Sequence, residues 1–319
     1  MNNIMRIFHG KALTVAAAAL LIILAGTAPL RAQDGAKIFA SPDEAAKALI
    51  DACQVNDMKA LFEILGPAAK AVLVTSDRAA DEMGRKKFQA AAAEHMHLEK
   101  AGAAKVTMVI GKNKWPFPIP LVKGKEGWSF DSKAGREEIV NRRIGKNELN
   151  AIAVCCAYVD AQRHYASKDR MGKGILEYAQ KVASSPGRKD GLYWPAKENQ
   201  ELSPFGPFIV SSSEYQAARK QGDPYYGYYF RILKAQGPKA LGGAFNYVIN
   251  GHMLAGFALV AYPADYGTSG VMTFVVNQWG RVFEKDLGKD TGRVAGSMKE
   301  YNPDGTWSAV KDKGALATE

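Results

Sequence analysis

Apolar residues follow two different rhythms along this chain. Between residues 135 and 167, Leu149, Ile152, Cys156 and Val159 recur at spacings of three and four. That is the repeat of one helix face, so one long helix is predicted there. Cys156 falls on its apolar stripe, and Cys155 is turned about 100° away. Beyond residue 225 the apolar runs are short and rich in β-branched and aromatic residues. Strands are predicted over 226–235, 245–249, 252–262, 271–277 and 281–286. Asn250-Gly251 between two such runs is the favoured hairpin turn. The run 252–262 is apolar on both parities, which predicts a central strand covered on both faces, one of them by the long helix.

The first half of the chain reads differently. Ser41-Pro42-Asp43-Glu44 combines a capping serine, a proline suited to the first helical position and a glutamate for a capping box. A helix to about residue 55 follows. A second helix is predicted over 58–65, stopped by Gly66-Pro67, and a third over 78–98. A strand is expected over 105–110. In "WPFPIPLV", 115–122, Pro116, Pro118 and Pro120 lie two apart and remove amide donors from one edge only. That predicts an edge strand with Phe117, Ile119 and Leu121 on the opposite face. Residues 127–131 close the small sheet. A short helix is expected near 175–183, within a mixed segment 172–213.

These elements predict an α+β protein: N-terminal helices with a small antiparallel sheet, then a long helix packed on a C-terminal antiparallel sheet. The predicted boundaries are 36–134 for the first domain and 135–310 for the second, with 311–319 a tail.

Residues 1–32 carry the marks of a secretory leader. Arg6 and Lys11 precede an apolar run from Ala12 to Ala25, and Leu30-Arg31-Ala32 suits cleavage before Gln33. An uncleaved anchor is the alternative. The expected location is the periplasm or the outside of the cell.

Composition adds little beyond this. Hydrophobic residues make up 47% and charged residues 23%, as in ordinary globular proteins. The formal charge is +10, but the basic residues are scattered, as in Arg85-Lys86-Lys87, Arg142-Arg143 and Arg188-Lys189. Nucleic acid is not an expected partner of an exported chain; an envelope protein or polymer is. Cys53, Cys155 and Cys156 have neither redox nor zinc spacing. They read as small buried residues, with a disulfide as the alternative.

The sequence contains no P-loop, no three-glycine dinucleotide fingerprint and no G-x-S-x-G elbow. Ser308 and Lys311 match a Ser-x-x-Lys spacing without its companion motifs. On the predicted third helix His95 and His97 point about 200° apart and do not share a metal. No cofactor and no metal is expected, and His252, behind the hairpin turn, is expected to be exposed. What remains is aromatic. "GDPYYGYYFRILKAQG", 222–237, is expected to turn Tyr226, Tyr228, Phe230 and Ile232 towards the core. Tyr225, Tyr229, Arg231 and Leu233 share the other face, at a junction or in partial solvent. Tyr193, Trp194, Tyr225, Tyr229 and Arg231 are therefore the candidate ligand-binding residues.

Several long strings are distinctive: "WPFPIPLVKGKEGWSFD", "EEIVNRRIGKNELNAI", "DGLYWP", "SPFGP", "YYGYYFRILKAQG" and "GFALVAYPADYGTSGVMTFVVNQWGRVFEKDLG". They resemble an exported bacterial family of unknown function, number 2950 of the domain-of-unknown-function series, over about residues 38–310. The resemblance implies export and no activity. "NELNAIAVCCAYVDAQRHYAS" with the later strands also resembles the helix and sheet of type IV pilin-like proteins. Here the helix is far from the leader, so assembly through an apolar helix end is not implied. The functional expectation is a non-enzymatic binding or assembly factor of the cell envelope. The alternative is an envelope hydrolase.

Overall fold

The structure, a computed structural model, describes residues 35–196, 200–207, 215, 218–220 and 222–311. The leader and residues 312–319 lie outside the described residues.

The first core is built by helices on a small sheet. Helix α1 (Pro42–Gln54) begins as its sequence dictates: Ser41 Oγ accepts the Glu44 amide at 3.1 Å, and Glu44 reaches back to the Ala40 amide at 3.1 Å. Helix α2 (Met58–Leu65) stops at Gly66, whose φ of 74° ends the turn. A one-turn helix α3 (Lys70–Leu73) leads to α4 (Arg78–Glu94). These pack on strands β1 (Met96–Lys100), β2 (Lys105–Ile110), β3 (Trp115–Pro116), β4 (Leu121–Lys123) and β5 (Trp128–Phe130). All pairs are antiparallel, in the order β1-β2-β4-β5, with β3 also on β2.

Helix α5 (Ser132–Ala166) serves both cores. Its first turns close the helical core, where Gly135 lies against Pro118 and Ser132 Oγ donates to the Leu65 carbonyl at 2.7 Å. Its second half covers a five-stranded antiparallel sheet made of β6 (Tyr228–Leu233), β11 (Ala258–Pro263), β12 (Met272–Asn277), β13 (Phe283–Asp286) and β15 (Ser308–Ala309). Between β6 and β11 run the short strands β7 (Ala235–Gln236), β8 (Phe245–Asn246), β9 (Val248–Ile249) and β10 (His252–Met253). The second face of the sheet carries α6 (Thr291–Ser297), and β14 (Glu300–Tyr301) pairs with β7 in parallel. Asn250 and Gly251 both take positive φ between β9 and β10, as a two-residue hairpin requires. β11 is an inner, doubly covered strand between β12 and β6: Ala258, Leu259, Val260 and Ala261 are all buried.

The structure corrects several sequence expectations. α4 ends at Glu94, and Met96–Lys100 is a strand, because there the apolar period is two: Met96 and Leu98 face the helical core. His95 and His97 then lie side by side, Nε2 to Nδ1 at 3.0 Å, rather than on opposite helix faces. The proline-rich stretch is an edge only in part: β3 pairs with β2 alone, whereas β4 sits between β2 and β5, and Phe117, Ile119 and Leu121 face the core as expected. Of the predicted stripe on α5, Ile152 and Val159 are buried, but the buried face is centred on Ala151, Cys155, Tyr158 and Gln162, so Cys155 is fully buried, Cys156 is half-buried and Leu149 is 47% exposed. Residues 175–183 form no helix. Gln162 instead accepts the Ala179 amide and donates to the Ala179 carbonyl, both at 2.8 Å, and so holds the segment as an irregular strip. His252 is half-buried, with Nδ1 3.0 Å from a Glu177 carboxylate oxygen.

Candidate functional site

The two cores meet at the start of α4. Asp77 caps this helix by accepting the Ala80 amide at 3.0 Å. Its second oxygen accepts the Gly227 amide at 2.8 Å and the Tyr215 hydroxyl. Ser76 adds a second tie, its amide and hydroxyl both donating to Asp265. From the other side, Asn147 of α5 donates to the Ser269 carbonyl at 2.9 Å, and Ser269 Oγ donates to the Gly227 carbonyl at 2.8 Å. These bonds hold the helical core, the long helix and the sheet around one space.

That space is a cavity of about 440 Å³, within the range of small-molecule sites. Its floor is apolar and buried: Leu49 and Cys53 from α1, Leu61 and Leu65 from α2, Leu73 from α3, and Phe117. Phe88 of α4 packs its ring 5.1 Å from that of Phe117, and the Trp115 ring lies 6.0 Å from Phe117. Ile139 of α5 and Tyr226 complete the wall. The α4 face is a helical stripe of Ala80, Gly84 and Phe88, spaced by four. Gly84 is notable there. A glycine inside a helix costs about 1 kcal/mol relative to alanine, yet a Cβ at Gly84 would meet nothing within 4 Å. Close packing therefore does not require it; Gly84 is exposed and lines the mouth of the cavity.

The polar rim comes from two basic clusters that are far apart in sequence. Arg85 and Lys87 from α4 and Arg142, Arg143 and Lys146 from α5 all line the same cavity. Arg143 donates to the Ala71 and Val72 carbonyls at the end of α3, and burial lowers its pKa. Arg85 donates to Asn56 Oδ1 at 2.7 Å and to the Leu73 carbonyl at 3.2 Å. Arg142 pairs with Glu138 at 2.6 Å and lies 5.6 Å over the Trp115 ring. The rim also holds one carboxylate besides Asp77. Asp81 accepts the Thr75 amide at 2.7 Å and the Thr75 hydroxyl at 3.0 Å, and burial raises its pKa. Burial likewise pushes the Cys53 thiol up to about 11, against an ordinary 9.0. A wider hollow of about 940 Å³ adjoins at Thr75, but among the described residues that line it none is aromatic and Arg78, Arg136 and Asp265 face it. The smaller space has the apolar floor a ligand needs.

The residues chosen from sequence lie at several places. Trp194 is buried, its indole donating to the Glu201 carbonyl at 3.2 Å beneath Arg170 and Lys189, which lie 5.6 and 5.3 Å from its ring. Tyr193 beside it bridges to Ala183. Tyr229 packs on Tyr262 at 5.7 Å. On the same face of β6, Arg231 donates to the Ala295 carbonyl at 2.8 Å. Phe230 and Ile232 lie on the opposite side, with Tyr228 beside Phe274. Tyr225 comes nearest to the cavity, its ring 4.7 Å from Tyr226. Tyr226 itself lines the cavity because Tyr226 and Gly227 take φ of 46° and 73°, which ends the strand alternation before β6. Its ring stacks on Tyr215 at 4.3 Å. Among the described residues no group of three or more histidine, cysteine or carboxylate side chains is placed to hold a metal, and no helix is long and apolar enough to cross a membrane.

A family model described as "Protein of unknown function (DUF2950)" matches residues 36–310. No curated protein and no solved structure matches the chain.

Proposed function

We propose a ligand-binding role in the cell envelope for this chain, which belongs to the DUF2950 family of proteins of unknown function. The protein is exported, acts in the periplasm or outside the cell, and takes an apolar ligand into the space between its two cores. Residues 1–32 support export through their basic, apolar and small-residue order. The observation that carries the binding reading is the apolar, buried floor of the cavity, built by Leu49, Leu61, Leu65 and Phe117. Envelope lipids and lipid-linked polymers supply ligands of this kind.

The reading is binding rather than hydrolysis because the reactive side chains at the cavity are already engaged. Asp77 spends both oxygens on a helix cap and the sheet junction. Asp81 is held by Thr75. Cys53 is kept as a thiol by burial, which is the opposite of an activated nucleophile.

Titration with N-phenyl-1-naphthylamine, a neutral fluorescent apolar probe, tests this. The wild-type protein should bind it saturably. Gly84→Leu should weaken binding by about tenfold by narrowing the mouth, while its urea midpoint stays level or rises because leucine is the better helix former. Absence of saturable binding, or equal binding by Gly84→Leu, would overturn the reading.

A further inference from the structure

We infer that His95 and His97 form a chelating pair for a divalent transition-metal ion of the copper(II) class, at a place separate from the cavity. His95 follows the last residue of α4 and takes extended backbone, with φ −159° and ψ 128°, so it joins the alternation of β1. His95, His97 and Glu99 then share one face, while Met96 and Leu98 turn to the core. The backbone of His95 is held at both ends. Its amide donates to the Ala91 carbonyl at 3.1 Å, and its carbonyl accepts the Gly111 amide at 2.9 Å. β1 pairs with β2 alone, which places Val109 opposite His97 and Thr107 opposite Glu99. The two imidazoles therefore stand on an edge strand. His95 is exposed and the His97 side chain is 38% exposed, so an ion in solvent reaches both.

Three features of the pair suit a metal. His95 Nε2 and His97 Nδ1 approach to 3.0 Å. Two nitrogens each about 2.1 Å from one ion are about 3.0 Å apart at a right angle and about 3.4 Å apart at a tetrahedral one. The pair thus fits the tetragonal geometry of copper(II) better than the tetrahedral geometry of zinc. Second, Glu99 sets the tautomer of His97. Its carboxylate oxygen lies 2.9 Å from Nε2, and an ionised carboxylate only accepts, so the His97 proton sits on Nε2 and Nδ1 keeps its lone pair. A carboxylate on the far nitrogen is the usual outer partner of a metal-bound imidazole. Third, the protein alone bridges the approach with one proton, donated by His95 Nε2. When His95 carries that proton on Nδ1 instead, both facing nitrogens offer lone pairs, and neutral imidazoles bind without net proton release. The neighbouring Glu94 is turned to Lys112 at 2.6 Å and adds no ligand. Two imidazoles hold the ion and water completes its coordination.

Titration of the untagged mature protein with copper(II) at neutral pH, followed by calorimetry and electron paramagnetic resonance, tests the inference. One ion per chain should bind saturably, with coupling to two nitrogens. His95→Asn and His97→Asn should each weaken binding by at least about tenfold and remove the two-nitrogen signal. His164→Asn and His252→Asn should leave both unchanged. Glu99→Ala should weaken binding by about tenfold, and Glu99→Gln, which still accepts from Nε2, by less. The urea midpoints of the metal-free His95→Asn and Glu99→Ala proteins should match the wild type, which separates a lost ligand from a lost fold. Zinc(II) should bind more weakly than copper(II). Saturable binding that survives in His95→Asn and His97→Asn, or no saturable binding at all, would overturn the chelating pair. Tighter binding of zinc(II) would overturn the copper(II) assignment.

Discussion

Asp77 joins the two cores through Gly227, whose amide it accepts at 2.8 Å from a position 150 residues earlier in the chain. Asp77 is 2% exposed, so truncating it removes the α4 cap, leaves the Gly227 amide without its acceptor and leaves the Tyr215 hydroxyl only the longer bond to the Pro224 carbonyl. Loss of a cap costs about 0.5–2 kcal/mol and each buried orphan about 1–3. Asp77→Ala should therefore lower urea-unfolding stability by about 2–4 kcal/mol. Asp51→Ala, which removes only the exposed Lys47 pair, should stay within about 0.5.

Gly227 has its own requirement. Its φ is 73°, and a Cβ there would lie 2.5 Å from Asn147 Nδ2 and 2.9 Å from Ser269 Cβ. Gly288 has the same φ of 73° with nothing within 4 Å. Backbone strain is thus common to both sites and the clash belongs to Gly227 alone. Gly288→Ala should cost about 1 kcal/mol and Gly227→Ala about 1–3 more in thermal or urea unfolding.

The cysteines should react in a fixed order. Cys155 is fully buried and its pKa is driven far up by burial, Cys53 is raised to about 11 on the cavity floor, and Cys156 is half-buried. Alkylation at mild alkaline pH, followed by peptide mass mapping, should find Cys156 first, Cys53 slowly, and Cys155 only after unfolding. Rapid native labelling of Cys155 would place the α5 face wrongly against the sheet.

Much of the fold is legible in the sequence because it is local. The Ser41 cap, the Gly66-Pro67 stop, the Asn250-Gly251 hairpin and the length of α5 all follow from neighbouring residues. The phase of α5 is not legible in the same way. Its buried face contains Tyr158, Gln162 and Tyr165, whose polar tips look like surface until their partners are known: the Ala258 carbonyl, Ala179 and the Lys189 carbonyl. The site is harder still. The clusters at 85–87 and 142–146 look scattered along the chain, and only the fold, which sets α4 and α5 on the same cavity, brings them to one rim. The aromatic segment at 225–229 is conspicuous in sequence, but the positive φ at Tyr226 decides which ring reaches the cavity.

Glu201 gives a pH test independent of the cavity. Hydrogen bonds from Lys168, Lys189 and Arg170 hold its pKa down at about 2, below the ordinary 4.5. A depressed carboxylate stabilises the fold above its unfolded pKa and loses that contribution as pH falls through its folded value. Glu201→Gln should therefore be less stable than wild type near neutral pH, and the difference should close between about pH 4.5 and pH 2. A difference that persists unchanged at pH 2 would show that the ion network is not its source.

Trp115 offers the most direct measurement of the central claim, that the space between the cores takes an apolar chain. It lines the cavity, its ring 6.0 Å from Phe117. Titration with a bromine-labelled dodecanoate, which quenches indole fluorescence on contact, should give saturable quenching in the wild type that is largely lost in Trp115→Phe. Quenching that is linear and unsaturable, or equal in the two proteins, would contradict it.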